Sequence, residues 1–600
     1  MKKMTAIVAA VMMHLFTACA QGKDEYTKLE KMIPMRDGVK LYTAVYIPKE
    51  TGTEPYPILM HRTPYSCAPY GDKIPRRFGP GNLFSKEKYI YVYQDVRGRY
   101  MSEGKFQEMT PAIDKKKSNK EVDESSDTYD TIEWLLHNVN NNNGKVGIYG
   151  ISYPGFYATA SLPGAHPAIK AVSPQAPVTD EFEGDDANHR GAFFLLDNFS
   201  FLNYFDYPRG DTTWQDYPSV CDTLKIKPDA YTFYLGIGPI KNLDKLYFHG
   251  KSVIWNEYLE HSTKDAYWQA RNIRTHLNNI QPAVLVVGGW FDAEDMFGAL
   301  KTYEAIEKQS PNNNNRLVMG PWTHGAWARG DWKKFGGYDF DINVNEKYQQ
   351  LEYNFFTWYL KGKGSFNEAE ATVFVTGSNE WKGFEQWPPK AATAQKWYLG
   401  ADHQLNTTPY AANTSYDAYV SDPANPVPYI DRKSSGRINE YMTADQTFAA
   451  ERKDVLHYKG MVLPQDLTVC GHVTAQLYAS TTGTDADFVV KLIDVLPDGK
   501  QQLVRAEVIR GKFRNSFVKP EAFVPNKVTP VTLELNDVAH TFKAGHQLMV
   551  QVQSSWFPLV DRNPQKFVNI PEANASDFQK ATIKLYHDKK YPSNIEIDIL

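Results

Sequence analysis

Cysteine is scarce in this 600-residue chain, with four in all. Cys19 lies in the leader discussed below, and Cys67, Cys221 and Cys470 are scattered singly. That spacing makes neither a disulfide framework nor a CxxC metal site, and it reads as buried or incidental thiols. No group of His, Cys, Asp and Glu has the spacing of metal ligands, so neither a metal nor an organic cofactor is implied. Neither sign of charge dominates: the net charge is −4. Without a basic footprint, nucleic acid is not expected as a partner. Beyond the leader no apolar run is long enough to span a bilayer. Internal repeats are missing, and "NVNNNNG" (138–144) and "NNNN" (312–315) are polar loop tips.

What is present is globular material for two or three domains, 42% hydrophobic and 23% charged. The leader places Lys2 and Lys3 before the apolar "MTAIVAAVMMHLF" and then "TACAQG". Residues 1–20 therefore read as an export signal. Two processing readings are open: a lipoprotein cut before Cys19, or a soluble product cut after Ala20. Either predicts an exported protein, periplasmic or on the cell surface, touching the membrane only through a lipid on Cys19. The acidic "KDE" at 23–25 is a weak surface-export cue.

From 25 to 180 short apolar runs alternate with helical stretches. "YPILMHR" (56–62), "YIYVYQDVRG" (89–98) and "KVGIYG" (145–150) read as buried strands, and "SSDTYDTIEWLLHNV" (125–139) as a helix. That succession predicts a parallel sheet covered on both faces. Residues 181–275 turn aromatic-rich and helical, an insertion suited to a lid. "PAVLVVGGWFD" (282–292) and "NRLVMGPWTHG" (315–325) resume the strands, and a helix in 346–364 closes a unit spanning 276–365. After 370 the texture is all-β to residue 600, as in "LTVCGHVTAQLYAS" and "DFVVKLIDVLPDG", which predicts a jelly-roll sandwich.

The chemistry centres on "GKVGIYGISYPGF" (144–156), where Ser152 follows a strand and precedes a helix. Such a turn exposes a hydroxyl at the sheet's carboxyl edge, near helix N-terminal amides. A serine hydroxyl needs a base, and the base an orienting acid. Asp292 follows "VLVVGGWF" and His324 follows "LVMGPWT", the order of nucleophile, acid and base in α/β-hydrolases. A glycine-flanked serine alone is more often a turn residue. Three such positions, each after its own strand, point to catalysis.

The segments "GISYPG", "RTPY" (62–65), "DVRGRYMSEG" (95–104), "GGWFD" and "GPWTHG" resemble the cocaine-esterase and X-Pro dipeptidyl-peptidase group of serine hydrolases. The elbow of that group is Gly-x-Ser-Tyr-x-Gly, matched by Gly150, Ser152, Tyr153 and Gly155. The resemblance implies an α/β-hydrolase domain with an inserted helical cap, followed by an all-β jelly roll. It also implies Ser152 as nucleophile, His324 as base and Asp292 as acid, with Tyr65 and the Tyr153 amide as oxyanion donors. "GGWFDAEDMFGA" and "EGDDANHRGAFF" resemble the α-amino acid ester hydrolases within the group. That likeness implies that Asp186, Glu294 and Asp295 receive a substrate α-ammonium, although Asp185 neighbours Asp186 and leaves the choice between them open.

The expected activity is therefore an exported serine hydrolase acting on esters or amides through an acyl-enzyme. Its small-molecule or peptide substrate would carry a free amine. An X-Pro dipeptidyl-peptidase and a cephalosporin acylase are the rivals within the group. From another class, an inactive carbohydrate-binding surface lipoprotein is the alternative. Homo-oligomers are compatible with the sequence.

Overall fold

A computed structural model describes residues 25–50, 54–206 and 224–600. The expected export signal, Cys19 and Cys221 lie outside the described residues. Cys67 and Cys470 are buried free thiols.

The catalytic region is built on a ten-stranded sheet. Its strands are β1 (Tyr26–Pro34), β2 (Lys40–Pro48), β3 (Tyr56–Thr63), β4 (Ile90–Asp95), β5 (Asn142–Ser152), β6 (Ile169–Pro177), β7 (Ala283–Gly289), β8 (Asn315–Gly320), β9 (Ala371–Val375) and β10 (Glu380–Phe384). In space they run 1-2-4-3-5-6-7-8-9-10. The strands from β4 through β9 pair in parallel, while β1, β2 and β10 add antiparallel edges. The β7 strand is buried at every position, as expected of a strand with both faces covered. The sequence reading opened the all-β region at 370, but β9 and β10 extend the parallel sheet, and the sandwich strands begin at Thr393. Short apolar strands carry no mark of which sheet they join.

Helix α1 (Glu124–Asn138) starts where the sequence signalled it. Asp123 accepts from the Ser126 amide at 2.9 Å, and Ser126 Oγ accepts from the Asp123 amide at 2.9 Å. This reciprocal box satisfies two amides that a helix end otherwise leaves open. Helices α2 (Tyr153–Ala160), α4 (Met296–Gln309) and α5 (Val344–Phe356) pack along the sheet. Between β6 and β7 the chain leaves the sheet for the expected helical insertion, which includes α3 (Leu195–Phe205).

The C-terminal sandwich has an eight-stranded sheet around Leu467–Thr481 and a four-stranded sheet holding Asp487–Val495 and Gln501–Arg510. Leu477, Val490, Leu492, Leu533, Val550 and Ile597 fill the space between them. Strand 487–495 was expected to alternate, yet all nine of its residues are buried. The reason is that Val489 faces the other way, joining Val508, Trp556 and Phe557 in the core of the catalytic region. The smaller sheet is thus covered on both sides.

Buried charge reinforces this junction. Arg510 donates to Asp487 at 3.0 Å and to Asp561 at 2.5 Å; the Asp561 carboxylate accepts from the Phe193 amide of the insertion at 3.2 Å, and the Asp561 amide donates to the Phe193 carbonyl at 2.9 Å. Removing the guanidinium strands two buried carboxylates. Arg510→Met is expected to cost about 3–5 kcal/mol of stability by chemical denaturation; a cost below about 1 kcal/mol would show that the pair contributes little.

Candidate active site

Ser152 ends β5 with φ 69° and ψ −131°, a conformation costly for a residue with a side chain. The turn into α2 is so tight that only glycine fits on either side. A Cβ on Gly150 would lie 2.1 Å from the Pro154 carbonyl oxygen, and one on Gly155 would lie 2.6 Å from that of Gln175. Pro154 is harmless because it sits in the first turn of α2, where a missing N–H leaves no hydrogen bond unmade. The late glycine is therefore a packing requirement of the crossing between β5 and β6.

The loops after β7 and β8 are tied together. Trp290 donates its amide to the Gly320 carbonyl at 2.7 Å, and Phe291 to that of Trp322 at 3.0 Å. The first loop carries Asp292 and the second carries His324. His324 Nδ1 faces the Asp292 oxygens at 3.0 and 2.9 Å, which sets Nδ1 as the protonated nitrogen. Asp292 Oδ1 also accepts from the amides of Glu294 and Asp295, at 2.9 and 3.1 Å. A Cβ built on Gly325, the next residue after His324, would lie 3.5 Å from Ile151 Cγ2, so the base loop abuts the elbow.

Ser152 and His324 line one cavity of about 640 Å³ with Tyr65, Asp186, Asp197, Phe201, Tyr204, Glu294, Arg329 and Arg437. Tyr65 stands on the loop after β3. That loop is held by Asp95, which accepts from the Cys67 amide at 2.7 Å, and by Arg99, which donates to the Pro64 carbonyl at 3.1 Å. Much of "DVRGRYMSEG" thus serves to place "RTPY". The Tyr65 ring meets Tyr153 edge-on at 6.3 Å and Phe205 at 5.5 Å. The Tyr153 hydroxyl points away from the cavity, donating to the buried Glu108 at 3.0 Å.

Hydrogen bonding tells Asp185 and Asp186 apart. Asp185 is buried and accepts from the Thr179 and Asp180 amides at 2.7 and 2.8 Å, and from the Gly298 amide of α4 at 2.7 Å. It pins the loop after β6 to the helix after β7, which brings Asp186 and Glu294 to the same cavity. Asp295 is placed differently from the sequence expectation. It is fully buried, lies behind His324 with Oδ2 3.9 Å from Nδ1, and has no hydrogen-bond partner for either oxygen among the described residues. Burial, then the neighbouring Asp186, lifts its carboxyl well above the usual range.

Glu294 bridges the site. One oxygen pairs with Arg437 and the other lies 3.3 Å from His324 Nε2. Burial opposes its charge, but His324 and Arg437 outweigh it and hold the carboxyl down at about 2. Burial likewise opposes a charged imidazole. The Asp292 and Glu294 carboxylates overcome that and raise His324 to about 9. Asp186 is pushed well above the carboxylate range by burial and then by Glu294. Sequence reasoning missed Arg437 and Asp197, which pair at 2.8 Å. Asp197 had a signal, an acid inside the apolar "AFFLLDNFSF"; Arg437 had none.

Gly150→Ala forces the turn to move. The expected result is a folded protein whose kcat on esters is about a hundredfold lower, the usual cost of roughly 1 Å of misplacement; wild-type kcat would show that the turn tolerates a Cβ.

Comparison with known proteins gives concordant matches. Residues 37–326 match the family model "X-Pro dipeptidyl-peptidase (S15 family)", and residues 364–596 match "X-Pro dipeptidyl-peptidase C-terminal non-catalytic domain". The cocaine esterase of Rhodococcus sp. is 28% identical over 591 residues, covering 95% of this chain and 98% of that protein. An aminopeptidase from a marine sediment Thaumarchaeota archaeon is 35% identical with a TM-score of 0.87, over 96% of both chains. An α-amino acid ester hydrolase is 34% identical with a TM-score of 0.89, over 96% of this chain and 97% of that one. By these matches, spanning sheet, insertion and sandwich alike, the chain belongs to the cocaine esterase and X-Pro dipeptidyl-peptidase (S15) family and is a hydrolase.

Proposed function

We propose that the protein is an exported serine hydrolase that cleaves esters or amides through an acyl-enzyme, with an acyl part bearing a free α-ammonium. The observation that carries this reading is one cavity holding Ser152 on its strained turn, His324 against Asp292, and the carboxylates Asp186 and Glu294. Ser152 attacks the carbonyl while His324 Nε2 takes its proton, and Asp292 steadies the imidazolium that forms. The oxyanion is received by the Tyr153 amide, the first N–H of α2, and by the Tyr65 hydroxyl. As the tetrahedral intermediate collapses, His324 returns the proton to the leaving alcohol or amine, and water repeats the cycle on the acyl-enzyme.

The ammonium is received by Asp186 and Glu294, with Asp295 backing them from behind His324. A desolvated cation must be paired, and each charge-assisted hydrogen bond contributes about 1.5–3 kcal/mol. An aminopeptidase and an α-amino acid ester hydrolase among the similar structures support this substrate class. The S15 family model supports X-Pro dipeptides as a second reading, with the same ammonium site. Export follows from the leader, with Cys19 as the lipid-bearing residue.

Fluorophosphonate labelling is expected in the wild type and absent in Ser152→Ala; labelling that persists would remove the serine from the mechanism. An α-amino ester is expected to exceed its N-acetylated form in kcat/KM by about a hundredfold or more, from two charge-assisted contacts. Asp186→Asn and Glu294→Gln should each narrow that ratio. Equal rates for the free and blocked amines would overturn the ammonium site, and an X-Pro peptide panel separates the second reading. Cys19→Ala should abolish palmitate incorporation in cells; unchanged incorporation would place any lipid elsewhere.

A further inference from the structure

The domain whose family model is described as non-catalytic delivers one side chain into the active-site cavity. Arg437 stands just before the 3-10 turn Asn439–Thr443. Its guanidinium is fixed from three directions: Nε donates to Asn439 Oδ1 at 3.0 Å, Nη1 to Asp197 Oδ2 at 2.8 Å, and Nη2 to Glu294 Oε1. Next to it, the Ile438 amide donates to the Tyr429 hydroxyl at 3.1 Å. The other oxygen of Glu294 is 3.3 Å from His324 Nε2. One carboxylate therefore joins a cation of the sandwich to the imidazole of the catalytic sheet.

The charges around this relay are unequal. Asp292 faces Nδ1 of His324, Asp295 stands 3.9 Å away, Glu294 faces Nε2, and Asp186 lines the same cavity. Arg437 and Arg329 act on Glu294, while Asp197 and Tyr441 face Arg437. Of the two guanidiniums, Arg437 is the one in contact with Glu294. If it were absent, the nearest cation available to Glu294 would be the imidazolium, and the pair would hold the base in its charged form.

We propose that Arg437 is a positioning residue of the active site, which occupies Glu294 and thereby keeps His324 available as a base. The proposal rests on the reading of His324 as the base for Ser152. It assigns the sandwich a part in the chemistry through charge, without contact to the reacting atoms. His324 is already raised to about 9, after burial's opposing effect, by Asp292 and Glu294, so any loss of positive charge here falls on an imidazole near its working limit.

The test is the pH dependence of kcat/KM on phenyl acetate, an uncharged ester that brings no ammonium of its own. Wild type, Arg437→Gln, Arg437→Lys and Asp197→Asn are compared, with thermal melting and fluorophosphonate labelling to certify folding. Arg437→Gln is expected to move the rising limb to higher pH by about one unit, an approximately tenfold deficit at neutral pH that shrinks as pH rises. Arg437→Lys keeps the charge and should leave the limb near its wild-type position. Asp197→Asn removes an anion and should move it the opposite way, which keeps the test decisive if the glutamine variant fails to fold. A limb unmoved in Asp197→Asn and in any folded Arg437→Gln, or a loss equal at every pH, would overturn the proposal. Ser152→Ala measured in parallel separates the outcomes: retained esterase activity there refutes the serine reading itself.

Discussion

An imidazole ringed by carboxylates is the constraint around which this cavity is arranged. Asp292 must be charged to hold His324 in one tautomer, and Asp186 and Glu294 open on the same space. Two like charges about 4 Å apart repel by roughly 4 kcal/mol at the effective dielectric of a protein surface. The site answers this with raised carboxyls and with built-in cations. Asp295 and Asp186 are raised well above the carboxylate range, while Glu294 keeps its charge because His324 and Arg437 share it. On the proposed function, a substrate ammonium entering between Asp186 and Glu294 would complete the same balance, so that binding and base strength would draw on one set of charges.

The parts of this arrangement visible in the sequence are those governed by local backbone. Ser152 needs Gly150 and Gly155 for room and tolerates Pro154 in the first turn, so the elbow is written in six consecutive residues. Asp292 and His324 each follow a run of buried β residues, and the order of strand ends is what suggests their proposed roles. The helix at 124–138 is legible in the Ser/Asp-rich start and apolar spacing of 125–139, while its cap, Asp123, lies just before that stretch. Other features depend on contacts far apart in the chain. Asp185 and Asp186 look alike until Gly298 of α4 is seen to claim the first. Asp295 reads as a ligand beside Glu294, but the turn at Asp292 sends the two side chains to opposite sides of His324. Arg437 stands more than a hundred residues from any motif, and nothing near it marks a function.

The same long-range contacts explain why the strands after 370 were hard to allot. β9 and β10 share the apolar texture of the sandwich yet pair with β8, and strand 487–495 loses its alternation because its second face meets the catalytic region. A jelly roll appended for stability alone would need only such apolar contacts. This one also donates from Arg505 to the carbonyl of Trp290, two residues before Asp292, at 2.9 Å, and from Arg510 to Asp561, which is bonded to the insertion at Phe193. The loop carrying the acid and the insertion covering the cavity are each anchored to the sandwich. Arg437 then enters the space those anchors define. Separating the domains would therefore remove more than buried area: it would release the Asp292 loop and take the Arg437 guanidinium away from Glu294.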